Sequence, residues 1–161
     1  METRSATASD VATLMRLINA AYVVERFFKV GDRINADGVL ALHARGTFLL
    51  LECDGDAVGS VYVELRGERG YIGLLAVDPA RQGGGYGRAV MHAAEEYCRS
   101  NGARHADLRV VNLREELPPF YRHLGYAECG TEPFSDPAEA TRPCHFVLMT
   151  KPLVQQDSEA S

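Results

Sequence analysis

The chain has 161 residues, 46% hydrophobic and 24% charged, with a formal net charge of -5. That length suits one domain with its own core, and no apolar run is long enough to cross a bilayer. The acidic balance opposes broad binding to nucleic acid. The N-terminal METRSATASD lacks the basic and then apolar profile of a secretory leader, and the four cysteines form no C-x-x-C pair and no metal-ligand spacing with the five histidines. The expectation is a cytoplasmic protein without metal, membrane or nucleic-acid partners.

SDVATLMRLINAAY sets Val11, Leu14, Met15, Ile18 and Tyr22 at helical spacing behind Ser9 or Asp10 as cap, which predicts an amphipathic helix. VVERFFKVGDR is too aromatic for a plain linker, and ADGVLALHARG carries a weaker helical pattern. From Thr47 to Pro79, the β-rich runs TFLLLEC, AVGSVYVEL and YIGLLAVDP are separated by DGD and RGERG, and such short turns predict an antiparallel meander. A helix then holds Val90, Ala93, Ala94 and Tyr97 on one face and ends at Asn101-Gly102. HADLRVV alternates as a strand, and ELPPFYRHLGY reads as a short helix opened by Pro118-Pro119 and closed at Gly125. Strands around GYAECG and CHFVLMTKPL complete a single domain over 1–152. TEPFSDPAEATRP between them reads as a polar loop, and 153–161 as a flexible tail.

The informative stretch is LLAVDPARQGGGYGRAV, where an apolar strand runs through Asp78-Pro79 into glycines and then directly into a helix. Glycine loses the most backbone freedom on ordering, so a cluster at this junction marks a close approach to the backbone. Residues Gly83 to Arg88 present successive N–H groups at a helix N-terminus, where the dipole also favours an anion, and a phosphate is the expected occupant. A dinucleotide-binding unit would place parallel strands first, and a P-loop would follow its glycines with Lys-Ser or Lys-Thr; the chain does neither.

Gln82-x-x-Gly85-x-Gly87 after LLAVDP resembles the acyl-CoA-binding motif of the GNAT superfamily of N-acetyltransferases, and FYRHLGY, Phe120 to Tyr126, resembles the FYxxxGF/Y signature that follows it there. The resemblance implies an α+β fold of three α/β/α layers, whose mixed, largely antiparallel sheet splays one strand pair at the acyl-CoA cleft. It implies acetyl-CoA as cosubstrate, held by Gln82, Gly83, Gly84, Gly85, Tyr86, Gly87 and Arg88 and by the backbone of Leu75, Ala76 and Val77. The Leu75 amide would be an oxyanion donor and Tyr121 the general acid for the leaving thiolate. The acceptor would be a primary amine of a small molecule or peptide, attacked directly, on a monomer or homodimer.

Two departures from the family pattern concern chemistry. A lysine-like amine has a pKa near 10.4, so presenting it neutral at pH 7 costs roughly 4–5 kcal/mol unless a base assists. Gly73 stands where many relatives carry a glutamate, and Arg109 where others carry a carboxylate; Glu64, Glu25 and His145 are the substitute bases. Arg114 falls at the family's asparagine position with Asn112 two residues before it, and both are candidate cofactor contacts. In AAYVVERFFKVGDR, the segment expected to wall the acceptor site, Tyr22, Glu25 and Phe28 are candidate substrate contacts. Rings and a carboxylate suit a cationic amine, whereas Arg33 suits a substrate carboxylate. A non-catalytic acyl-CoA-binding or regulatory protein is the competing class, kept open by Gly73.

Overall fold

Phe48 and Leu50 alternate with Leu49 and Leu51 along one strand, and all four are at most 5% exposed, so this strand needs a layer over each face. The computed structural model describes residues 1–135 and 139–153 and supplies both layers. Among the described residues, the strands are β1 (Glu2–Ser5), β2 (Thr47–Cys53), β3 (Asp56–Arg66), β4 (Arg69–Val77), β5 (His105–Val111), β6 (Ala127–Pro133) and β7 (His145–Pro152). They form one sheet in the order β1-β2-β3-β4-β5-β7-β6, antiparallel throughout except for the parallel pair β4 and β5.

Helices α1 (Val11–Ala21) and α2 (Ala36–His43) cover one face, where Leu14, Leu17, Ile18 and Val39 join Phe48, Leu50 and Tyr62 in one apolar cluster. Helix α3 (Tyr86–Ser100) covers the other through Val90, Met91, Ala94 and Cys98, packed with Leu49, Leu51, Val61 and Ile72. Each large aliphatic side chain so buried is worth roughly 1.5–3 kcal/mol of transfer free energy. Helix α4 (Leu117–His123) has prolines in its first turn and ends before Gly125 at φ +101°. These are the three layers and the mixed sheet that the sequence resemblance implies, and no described helix is long and apolar enough to cross a membrane.

Three details differ from the sequence reading. The tetrapeptide ETRS forms β1, fully exposed and held by its ladder to β2, with Arg4 paired to Asp10 and Glu52. Leu153, assigned to the tail, is 2% exposed, and its N–H donates to the Arg104 carbonyl at 2.8 Å. The rest of that tail, 154–161, lies outside the described residues. The loop after β6 returns to the protein: Ala140 bridges Lys29, and the Thr141 N–H donates to the Phe28 carbonyl at 2.7 Å.

Candidate active site

β4 and β5 pair only from Arg69 to Tyr71, opposite His105 to Asp107, and a wedge opens beyond. β4 turns aside at a bulge: between the pairs Tyr62–Gly73 and Ser60–Ala76, Leu74 and Leu75 oppose Val61 alone. Leu74 lies at φ +55°, a left-handed conformation that costs a non-glycine residue about 1–2 kcal/mol, so surrounding structure rather than local preference holds the bend. At the closed end, Arg69 donates Nε and Nη2 to Asp107 at 2.6 and 2.7 Å, and the Thr150 hydroxyl donates at 2.8 Å. Burial raises the Asp107 pKa, but the bonds from Arg69 and Thr150 outweigh it and hold the carboxyl below its ordinary value.

Past Val77 the Asp78 carboxylate accepts the Ala80 N–H at 3.0 Å, capping a short turn at Pro79–Arg81 before the glycines. Gly83 and Gly85 lie at φ +91° and +80°. Gly85 is the N-cap residue before α3, and no side chain caps the helix's first turn, which leaves those N–H groups for an anion. A cleft of about 510 Å³ opens there, lined by Gln82, Gly83, Gly85, Tyr86, Gly87 and Arg88, and by Leu75, Val77, Arg114 and Tyr121. Gly84 does not line it: a Cβ there would sit 2.7 Å from the Tyr86 ring, so this glycine makes room for that ring. Ala76 is 1% exposed in the sheet core. Asn112 is not among the residues lining the cleft, and its Oδ1 accepts the His145 N–H at 2.8 Å at the start of β7.

The wedge itself holds a second cavity of about 330 Å³, which shares Tyr22, Leu75, Leu117 and Tyr121 with the cleft. Tyr121 is 7% exposed on α4. Burial, assisted by nearby Tyr22, pushes its hydroxyl pKa well above that of a free tyrosine, so it is protonated at neutral pH. Tyr22 is likewise pushed up to about 12, chiefly by burial.

Of the three carboxyl and imidazole candidates for the base, Glu25 lines this cavity, but its Oε2 accepts Arg114 Nη1 at 2.8 Å. Arg114 also donates Nε to Glu116 at 2.8 Å; burial lowers the Arg114 pKa, while the bonds and charges of Glu116 and Glu25 raise it further than burial lowers it. Glu64 lines an adjoining cavity and accepts the Tyr62 hydroxyl at 2.7 Å and Arg66 Nε at 3.0 Å. The Tyr62 bond first, then Arg66 and Arg45, keeps its pKa below the ordinary glutamate value despite burial. His145 is exposed and lines neither cavity. Phe28 is 0% exposed and packs with Val111 and Phe146, so its ring offers no surface to either cavity.

Tyr71 escapes the sequence reading. A Cβ on Gly73 would lie 2.9 Å from the Tyr71 ring and from its hydroxyl oxygen, so Tyr71 fills the space that a side chain at position 73 would take. The signal was the strand period, which sets residues 71 and 73 on one face. Lys29, Arg109 and Glu139 complete the cavity from segments distant in sequence.

Residues 11–126 match the family model described as the acetyltransferase (GNAT) family. Streptothricin acetyltransferase from Streptomyces lavendulae is 32% identical over 108 residues, covering 66% of this chain and 57% of that protein, so the match spans little more than half of the relative's length. The ribosomal-protein-S18-alanine N-acetyltransferase from Escherichia coli superimposes with a TM-score of 0.79 at 16% identity, over 96% of this chain and 94% of that one. The Salmonella typhimurium protein yncA, solved with its cofactor acetyl-CoA, gives 0.75 at 20% identity over 96% and 95%. Those two likenesses speak to the fold. The family match runs through the bulge, the glycine loop and Tyr121 alike, and this chain belongs to the GNAT acetyltransferase family.

Proposed function

We propose that the protein moves an acetyl group from acetyl-CoA to a primary amine of a small molecule or peptide by direct attack. The observation that carries this reading is the meeting of two cavities at Leu75 and Tyr121, one beside the glycine loop and the other in the wedge. The loop amides of Gly83 to Gly87 suit the pyrophosphate, with Arg88 at the same mouth.

The amine sheds its proton to water, enters by the wedge and attacks the thioester carbon. Charge developing on the carbonyl oxygen meets the Leu75 N–H, and as the carbon–sulfur bond breaks the Tyr121 hydroxyl gives its proton to sulfur. The surplus proton on the new amide nitrogen passes through solvent to the tyrosinate, which balances the exchange. No base is assigned to the first step, because Glu25 is tied to Arg114 and Glu64 lies in the adjoining cavity. A peptide α-amine, with a pKa near 7.7–8.0, then costs only about 1 kcal/mol to present neutral at pH 7, against roughly 4–5 for a lysine-like amine.

The test pairs calorimetric titration of acetyl-CoA with amine-dependent release of thiol. The wild type is expected to bind acetyl-CoA and release thiol with some amine, and Tyr121→Phe to keep its affinity within about twofold while turnover falls at least about tenfold. Binding without release from any amine selects the non-catalytic reading that Gly73 keeps open. Unchanged turnover in Tyr121→Phe removes the proton-donor role.

A further inference from the structure

The charged side chains that line the wedge cavity are answered by opposite charges with one exception among the described residues. Glu25 meets Arg114, Lys29 meets Glu139 and Arg109 meets Glu132, each at 2.8 Å. The exception is Arg33, whose guanidinium carbon lies 5.5 Å from the centre of the Tyr22 ring and meets no carboxylate. Its backbone is anchored beside it: the Ile34 N–H donates to Asn19 Oδ1, and Asn19 Nδ2 donates to the Ile34 carbonyl, both at 2.9 Å.

Arg33 lines both the wedge and the adjoining cavity, where five arginines stand against Glu64, Asp107 and Glu132. This local excess of positive charge occurs in a chain of net charge -5. A polycationic acceptor would be repelled there, while a guanidinium placed over a ring keeps its forked N–H donors for a planar oxyanion. Tyr22 also lines the cleft that contains Tyr121, so Arg33 stands one aromatic side chain away from the boundary that the two cavities share.

We propose that the acceptor carries an oxyanion on the same small molecule as its amine, a carboxylate in the simplest case, and that Arg33 receives it. This rests on the transfer reading above.

The experiment measures thiol release at saturating acetyl-CoA with matched pairs: α-amino acids against their amides, and aminoalkyl phosphates against the parent amino alcohols. The anionic member of at least one pair is expected to have the higher kcat/KM by at least about tenfold, through KM, and the pair that shows it identifies carboxylate or phosphate. In Arg33→Ala that preference falls to within about twofold, whereas Arg33→Lys keeps part of it. Arg33→Gln, which retains a stem over Tyr22, takes the place of the alanine variant if that fails to fold. Neutral amines or polyamines turned over as well as the anionic members, or an undiminished preference in Arg33→Ala, would overturn the oxyanion assignment and leave acetyl transfer standing. Absence of thiol release with every amine would overturn the transfer reading and this inference with it.

Discussion

The cleft beside the glycine loop has a corner of three glycines, Gly83, Gly85 and Gly87, where backbone is the surface on offer, whereas the wedge cavity gathers charged side chains from segments far apart in the chain. The first draws most of its lining from the end of β4, the loop and the start of α3, between Leu75 and Arg88, joined by Tyr22 and by the stretch that holds Arg114 and Tyr121. The second gathers Glu25, Lys29, Arg33, Tyr71, Arg109 and Glu139 from four stretches of chain and balances most of their charges in pairs. A site of amides tolerates no change in conformation but many changes of neighbouring side chain. A site of paired charges behaves the other way, because exchanging one member alters what it accepts while the backbone stays in place. The ligand common to a family suits the first kind of construction, and a variable acceptor suits the second.

Arg114 lies in the cleft and its partner Glu25 in the cavity, so this pair is the place where both regions break together. Their side chains are 13% and 9% exposed. Removing one partner leaves a buried charge unanswered, and Arg114→Ala is expected to cost about 3–5 kcal/mol in a denaturant titration. Glu25→Leu combined with Arg114→Met removes both charges and recovers most of that loss. An alanine variant as stable as the wild type would mean that water reaches Glu25 and that the two regions are not coupled through it.

Gly85→Val tests the backbone half alone. A Cβ at Gly85 meets no protein atom within 4 Å, so packing is spared, but φ +80° strains any β-branched residue and the new side chain stands where the ligand approaches. Acetyl-CoA affinity is expected to fall at least about a hundredfold, or roughly 2.7 kcal/mol, by calorimetry. Unchanged affinity would separate the glycines from cofactor binding.

Asp107→Asn is the mildest change, at the closed end of the wedge. Because the folded state holds this carboxyl below its ordinary value, its stabilisation is present above the unfolded-state pKa of about 4 and is lost as pH falls through the folded value. The asparagine variant should therefore lose up to about 1 kcal/mol at neutral pH and show a shallower acid limb below about pH 4. Parallel acid limbs for the two proteins would show that the Arg69 clamp contributes nothing to holding the strands together.

Where the sequence was legible, the signal was local. The helix at Val11–Ala21 followed from apolar spacing, the meander from short turns, and the end of α3 from Asn101-Gly102, where Gly102 takes φ +90°. β1 was not legible because ETRS has no apolar face and is held only by its ladder. The splayed strand pair was implied by family resemblance and not by residue preference, since the bend rests on a leucine at φ +55°, against local propensity. Phe28 and Glu25 were legible as members of the acceptor wall, but nothing local told that one turns wholly into the core and the other is spoken for by Arg114, 89 positions away.

By itself, then, the sequence determined the glycine corner, because the conformations it needs belong to glycine and the amides it presents need no distant partner. Only the tertiary structure decided which charges of the wedge cavity are paired and that, among the described residues, Arg33 meets no carboxylate. Those pairings join residues far apart in the chain, and burial rather than residue type sets whether each charge is answered by protein or by water.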